Sequence, residues 1–546
     1  MNILLVSTAI EKSNLSFPLG ALCIESSIKN DKILNELCNV KTLLFDLEDD
    51  PIKTAIDLSK TNVDIIGLSI YLWNRNWFDI FVDKIKEINP SIIIFAGGSE
   101  ISANAKSFDL NKYTFLISGE GESTTLIALN KLNNNEKLIH KGIISKDNPN
   151  YSLSDNVNLD ELASPLLSKC GDPFLESGCS ILWEMTRGCP FKCGFCFESK
   201  GLRSVRNYPL TRIEKELDYI IENEVKDVFV LDPTFNINKE RTIKILNLLR
   251  DKAPDIHFTF EIRAELIDED IALAFSQIFC SLQIGLQSIH PNVLKTVNRN
   301  FDKELFKEKI SLLEKLNLVY GLDLIIGLAN DNLELFKESL DFTALCKPSN
   351  IDIFLLSLLP GTKLYDEADK YEIEFHKNSP YTIIKSPSYS KEDINEALKI
   401  KKGCDLFYTK GESVMFIKVV CDAFNITPSN LFQQFYFYLE KKYDIENIDS
   451  EDIFSLQDEF IKHLLKIHSV KNLEKALLSF IELHQGLSYY IDEYISPILS
   501  LSYYPNQLNL LENMNIKDFV KKYSPFDENK NFYIIGDYGN IDIIEY

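Results

Sequence analysis

The apolar positions of this chain fall into short continuous runs, separated by stretches with a helical spacing. Ile3-Leu4-Leu5-Val6, Val40 to Phe45, Val63 to Ile70, Ser91 to Ala96 and Phe115 to Ser118 have strand length and little alternation. Between them, Leu19 to Lys29 and Trp77 to Ile88 repeat apolar residues every three or four positions. Strands buried on both faces and alternating with amphipathic helices predict a doubly wound, Rossmann-like parallel sheet over residues 1–147. Residues 148–178 have no period and carry Asp, Ser, Asn and Pro, which predicts a linker. Alternation resumes over 179–390. Ile181 to Glu184, Val228 to Leu231, His257 to Arg263, Leu282 to Leu286, Leu322 to Gly327 and Ile353 to Leu358 read as strands. Helices are expected over Thr211 to Asn223, Lys239 to Lys252, Lys303 to Lys315 and Leu333 to Ala344. Six such repeats predict a partial (β/α)6 barrel, short of a closed one. Residues 391–546 read as a mainly helical domain ending in a hairpin around Asp537-Tyr538-Gly539-Asn540. The fold class is α/β throughout the first 390 residues.

Sheets of both kinds place their chemistry beyond the carboxyl ends of the strands. In the first domain those ends carry Ser7-Thr8, Ser69, Tyr71-Leu72-Trp73-Asn74, Gly97-Gly98 and Gly119-Glu120-Gly121-Glu122. Small residues there suit the close approach of a large flat ligand. In the barrel, Asp232-Pro233-Thr234 follows the second strand and Gln287-Ser288 the fourth. The two-residue period of a strand puts Glu261 and Arg263 on one face of the third.

The most specific signal is Cys189-x3-Cys193-x2-Cys196, on a loop containing Gly and Pro. A four-thiolate zinc site usually arrives as two C-x2-C pairs. Three thiolates in eight residues suit a four-iron cluster with one iron open to a ligand. The alternative is a zinc knuckle completed by a distant residue, for which Cys170 and Cys179 are the nearest cysteines.

Composition narrows the partners. With 546 residues the chain is long enough for two to four domains. Its net charge of −23 opposes nonspecific attraction to nucleic acid or anionic membrane. No apolar run reaches the length of a membrane span, and Met1 to Val6 reads as a strand rather than a leader, so a reducing cytoplasm is expected. Arginine is scarce: of nine, eight fall between 187 and 299. An Arg used where the chain otherwise prefers Lys is a candidate for bidentate anion binding. Arg263 and Arg299, at or after strands, are kept for that role.

The cysteine loop, with the aromatic Phe195 before its last Cys, resembles the signature of the radical S-adenosylmethionine (SAM) superfamily. The preceding domain, through Pro18-Leu19-Gly20, Ser69, Gly97-Gly98 and Gly119 to Glu122, resembles the cobalamin-binding domain of its cobalamin-dependent branch. The resemblance covers about the first 390 residues. It implies a [4Fe–4S] cluster on Cys189, Cys193 and Cys196. It implies SAM held near Phe195, Asp232, Pro233, Thr234, Glu261, Arg263, Gln287, Ser288 and Arg299. The cobalamin is implied to lie at the strand ends of the first domain, with Tyr71 to Asn74 beneath the ring. The D-x-H-x-x-G motif that supplies a histidine to cobalt elsewhere is absent. The commonest outcome in such enzymes is methylation of an unactivated carbon through a 5′-deoxyadenosyl radical and methylcobalamin. Relatives also run cyclisations and rearrangements. The resemblance implies an electron donor such as flavodoxin or ferredoxin. With the acidic charge, it favours a peptide or small natural-product precursor over RNA as substrate. An RNA methylthiotransferase shares the cysteine spacing but needs three more cysteines early in the chain, where only Cys23 and Cys38 occur. A zinc-stabilised binding protein is the non-enzymatic rival.

Overall fold

The computed structural model describes residues 1–10, 16–175, 178–198, 204–537 and 540–546. They form two compact units: residues 1–283 with 311–318 and 357–384, and residues 284–310, 319–356 and 385–546.

In the first unit, β1 (Asn2–Ala9), β2 (Asn39–Asp46), β3 (Ile65–Ser69), β4 (Ile93–Gly97), β5 (Phe115–Ile117) and β6 (Ile143–Ser145) form one sheet in the order β2-β1-β3-β4-β5-β6. The first five strands are parallel. Their apolar runs are explained by a hydrophobic layer on each face. On one face Val6, Ile66, Leu68 and Ile94 pack with Trp77, Phe78, Phe81 and Ile85 of the helix Arg75–Ile88. On the other, Ile3, Leu5, Ile65 and Phe95 pack with Ala21 and Ile28 of the helix Leu19–Asn30 and Ala128 and Leu129 of the helix Gly121–Asn133. The order reverses between β1 and β3, which opens a crevice at their carboxyl ends. The antiparallel β6 is unpredicted, because the three residues Ile143-Ile144-Ser145 give no period. The helix Pro51–Ser59 is also unpredicted, although Asp50 caps Ile52 N (2.8 Å) and Pro51 opens its first turn.

The segment expected to be a linker is packed rather than loose. Val157, Leu159, Leu166 and Cys170 are buried, and Ser164 donates to the buried Glu216 at 2.6 Å. It leads into β7 (Ser180–Trp183), then β8 (Thr186–Arg187), which pairs antiparallel with β9 (Arg206–Asn207). β10 (Asp227–Val230) lies parallel between β7 and β11 (His257–Ile262). The strand β12 (Cys280–Gln287) starts in this unit and ends in the other.

In the second unit, β13 (Val319–Ile326) and β14 (Asn350–Leu355) are parallel, with the helix Leu333–Leu345 between them in sequence. A short pair of the first unit, β15 (Glu374–Phe375) and β16 (Ile383–Lys385), whose last residue falls in the second, precedes the helical region in sequence. That region packs Phe407, Phe416, Phe432, Phe435 and Phe460 into one aromatic core. Its hairpin β18 (Lys530–Asp537) and β19 (Asn540–Glu545) is joined by an unpredicted strand, β17 (Ile498–Leu501). Tyr538 and Gly539 of the expected turn lie outside the described residues. No helix among the described residues is long and apolar enough to cross a membrane.

Candidate active site

The cysteine loop leaves β8 and stays half-buried: Cys189, Cys193 and Cys196 are reduced and partly accessible, and Cys196 N donates to Cys193 O at 3.1 Å. Its far side is tied down where Leu364 N donates to Gly194 O (2.8 Å). Burial pushes the Cys196 thiol up to about 12, so a thiolate there calls for the positive charge of bound metal. Among the described residues no three Cys, His, Asp or Glu side chains converge on a single metal ion. Three half-exposed free thiols within eight residues are a donor set of the kind that an iron–sulfur cluster uses. Cys170 stands apart, accepting from Ser168 Oγ at 3.3 Å. Cys179 is buried at the entry to β7, where its carbonyl accepts from Lys226 N.

Two groups brace the loop. Thr234 Oγ1 comes within 3.8 Å of Cys189 Sγ while donating to Pro233 O at 2.6 Å. The Arg263 guanidinium lies 3.7 Å over the ring of Phe191, inside the loop, a cation–π contact that packs one against the other. The strand expected to carry both Glu261 and Arg263 on one face stops between them. β11 ends at Ile262, Glu261 is exposed, and Arg263 turns to Glu265 (2.6 Å). Asn236 fixes that turn, with Nδ2 donating to Arg263 O (2.9 Å) and Oδ1 accepting from Arg263 N (3.0 Å).

Asp232 is a carboxylate turned inward rather than offered to a ligand. It is buried, and its Oδ1 accepts from Met185 N (2.8 Å) and Thr186 N (2.9 Å), the residues entering the cysteine loop. Burial raises its pKa from 3.8 to about 6, against the lowering by those two amides. The folded state therefore holds this proton more tightly than the unfolded one. Its stabilising share is complete below pH 4 and is lost as pH rises through about 6. An Asn there keeps an acceptor for both amides without the charge. The stability of Asp232→Asn relative to the parent should rise by about 1–2 kcal/mol between pH 5 and pH 8 in thermal unfolding. An unchanged difference would mean that the carboxylate titrates normally.

In the second unit Gln287, Ser288 and Arg299 come together at the end of β12. Gln287 is buried with φ of 71°, and its Oε1 has no hydrogen-bond partner. Arg299 Nη2 donates to Gly285 O at 2.5 Å, and His290 N donates to Ser288 Oγ at 3.2 Å.

At the strand ends of the first sheet, several expected ligand groups turn out to hold the protein's own loops. Asn74 Nδ2 donates to Thr8 Oγ1 and Ser69 O, both at 3.0 Å, and its Oδ1 accepts from Tyr71 N at 2.8 Å. Asn74 and Thr8 are thus a brace between β1 and β3. Gly98 has φ of 110°, and a Cβ on it would lie 2.3 Å from Ile70 O; one on Gly119, with φ of 95°, would lie 2.5 Å from Ser154 Oγ. Their smallness is required by these crossings. Gly97, by contrast, has nothing nearer than 3.8 Å. Ser7 is buried, Pro18 opens the helix Leu19–Asn30, and Gly20 lies beneath the Tyr71 hydroxyl. Leu72 accepts from Ser379 Oγ at 2.5 Å through its carbonyl. What remains presented is an aromatic platform: Trp73 is 46% exposed and stacks on Tyr71 at 4.6 Å and 6°. Trp77 is buried core, with Nε1 donating to Asp49 O.

Glu120 and Glu122, expected at the ligand, face arginines instead. Glu122 pairs with Arg187 at 2.6 Å and Glu120 with Arg206. The scarcity of arginine in this chain is the signal for Arg187 and Arg206, and it is as strong for them as for the two kept.

Residues 183–343 match the family model described as the radical SAM superfamily, and residues 369–532 match one described as a protein of unknown function, DUF4080. The chain is 24% identical over 405 residues to an uncharacterised methyltransferase of Pyrococcus horikoshii, spanning 70% of this chain and 86% of that protein. It is 22% identical over 341 residues to TokK, a cobalamin-dependent radical SAM methyltransferase of Streptomyces tokunonensis, spanning 55% of this chain but only 48% of TokK. Its fold is similar to that of OxsB, a cobalamin-dependent S-adenosylmethionine radical enzyme solved with aqua-cobalamin bound. The TM-score is 0.60 at 17% identity, over 95% of this chain and 83% of OxsB.

Proposed function

We propose that this chain is a cobalamin-dependent radical SAM methyltransferase, a reading supported by the match of residues 183–343 to the radical SAM superfamily model. Its substrate would be an unactivated carbon of a peptide or small natural-product precursor. The observation that carries this reading is one compact unit in which a parallel sheet, with an aromatic platform at its carboxyl ends, shares buried ion pairs with the C-x3-C-x2-C loop. The likeness to TokK and OxsB supports it. We read β7 and β10 to β14 with their helices as a partial (β/α)6 barrel. We likewise read residues 1–147 as a Rossmann-like cobalamin domain and 391–546 as a helical cap.

When bound, the cluster and SAM supply a 5′-deoxyadenosyl radical and cobalamin a methyl carrier. The chain's own residues do the rest. Cys189, Cys193 and Cys196 would hold the cluster. Thr234 and Arg263 hold their loop in place, and Asp232 fixes its entry. Phe195, Pro233 and Glu261 are the proposed contacts for SAM in the first unit. Ser7, Ser69, Tyr71, Leu72, Trp73 and Gly97 are proposed to face the corrin. Thr8, Asn74, Gly98 and Gly119 stand behind those loops. A flavodoxin- or ferredoxin-like donor fits the need for an electron.

The test uses SAM carrying a deuterated methyl group and candidate precursors under anaerobic conditions. A product heavier by the labelled methyl is expected. Product formed without label would assign the chain to cyclisation or rearrangement instead. Metal analysis should give about four irons and four sulfides per chain; about eight irons would restore the methylthiotransferase, and one zinc without iron the binding protein.

A further inference from the structure

We infer that Arg187 is a positioning residue: it locks the start of the cysteine loop to the strand ends of the N-terminal sheet. The inference rests on the reading of the three cysteines as cluster ligands. Arg187 stands two residues before Cys189. Its Nη2 meets Glu122 at 2.6 Å, its Nε meets Glu184 at 2.9 Å and its Nη1 lies 3.7 Å from Glu120. Glu120 and Glu122 stand at the start of the helix that follows β5, and Glu184 follows β7. One planar fork therefore ties two carboxylates of the N-terminal domain to one of the cysteine-bearing segment. The side chains are nearly enclosed, with Arg187 12%, Glu122 7% and Glu120 14% exposed.

The neighbours of the fork are themselves fixed. Tyr208 Oη donates to Glu184 at 2.9 Å, and Tyr208 N to Met185 O at 3.1 Å. Arg206, paired with Glu120, also donates to Val157 O at 2.9 Å, while Val157 N donates to Glu120 at 2.7 Å. The acidic groups hold the Arg187 guanidinium charged, and Arg187 in turn holds Glu122 below the usual carboxylate range. Burying so many charges costs desolvation, and apolar residues of similar size would stabilise the packing as well or better. What apolar packing lacks is direction. A guanidinium fork hydrogen-bonded to two fixed carboxylates, with a third 3.7 Å away, restricts the placement of its backbone. The geometry thus sets where the first cluster ligand stands relative to β5, and a lysine, with a point charge and no fork, does not reproduce it.

The test compares the parent, Arg187→Lys and the double variant Arg187→Gln/Glu122→Gln, which neutralises the shortest pair while Glu184 keeps Tyr208 and Glu120 keeps Arg206 as partners. Hydrogen exchange on the cofactor-free full-length protein reads the lock directly. Both variants should exchange residues 186–196 at least about tenfold faster while residues 2–9 and 65–69 keep parental rates. After reconstitution with iron and sulfide, 5′-deoxyadenosine formation from SAM with dithionite should stay within about twofold of the parent. Transfer of labelled methyl from SAM to added, reduced hydroxocobalamin should fall by at least about tenfold, since only that step needs both modules in register. Parental exchange over 186–196 in both variants would overturn the inference. So would acceleration spread equally over β1 and β3, or an equal fall in both reactions, either of which makes the cluster of charges a general stabiliser. A parent protein that binds no iron would sink the cluster reading while the exchange result still stood.

Discussion

Replacing Cys193 by Ala is expected to lower iron content from about four per chain to below about one, and SAM cleavage by at least about 10³-fold. The cube needs a thiolate at three of its corners, and the chain offers three in eight residues with no fourth nearby to substitute. Cys196 N bonds to Cys193 O, so the loop already has the turn that brings the second and third thiols to one side. Alanine keeps that turn and removes only the ligand, so the loss is chemical and not a matter of folding. Cys170→Ser and Cys179→Ser are the controls. Both sulfurs are buried in their own surroundings upstream of the loop. Each control should keep full iron and at least about half of the parental rate. A Cys193→Ala protein that cleaves SAM as fast as the parent would end the radical SAM reading of this site. Loss of metal from the Cys170 or Cys179 variants would reinstate a site completed from upstream.

The second large effect is on stability. Gly98→Ala is expected to destabilise the N-terminal sheet by about 3–5 kcal/mol, from a Gly-only backbone conformation and a clash that side-chain motion cannot relieve. Gly98 sits at φ 110° and ψ 177°, and the atom in the way is the carbonyl oxygen of Ile70, 2.3 Å from an added Cβ. That carbonyl accepts from Glu100 N (3.3 Å), and Ile70 N donates to Gly97 O (2.8 Å). Moving Ile70 aside therefore unzips the junction of β3 and β4 and drags the Tyr71–Trp73 platform with it. Gly97→Ala, one residue earlier, meets nothing within 3.8 Å and should cost less than about 1 kcal/mol. Urea or thermal unfolding of the pair decides the matter. Equal losses at the two positions would mean that the loop relaxes freely.

How far the sequence could be read depended on whether a feature was local. The parallel strands of both sheets were legible because burial on both faces leaves a continuous apolar run in each. The cysteine loop was legible because the ligands of one cluster lie within eight residues. The strand-end glycines were legible as glycines but not in purpose. Only the fold shows that Ile70 and Ser154 are the groups passing close to Gly98 and Gly119. Glu120 and Glu122 looked like ligand contacts because their partners, Arg206 and Arg187, are 86 and 65 residues away. Arg263 was singled out for anion binding, and its contact with Phe191 joins segments with no common pattern. The strands β6 and β17 escaped because three or four residues carry no period, and their pairing is decided by neighbours distant in sequence.

The stacked indole of the platform has an optical consequence. The chain has three tryptophans: Trp77 and Trp183 are enclosed, at 6% and 2% exposure, and Trp73 alone stands open at 46%. Under selective excitation, an aqueous quencher therefore samples almost solely the emission from this loop. The red edge of the spectrum becomes a native gauge of whatever covers the crevice between β1 and β3, with no dye or tag attached.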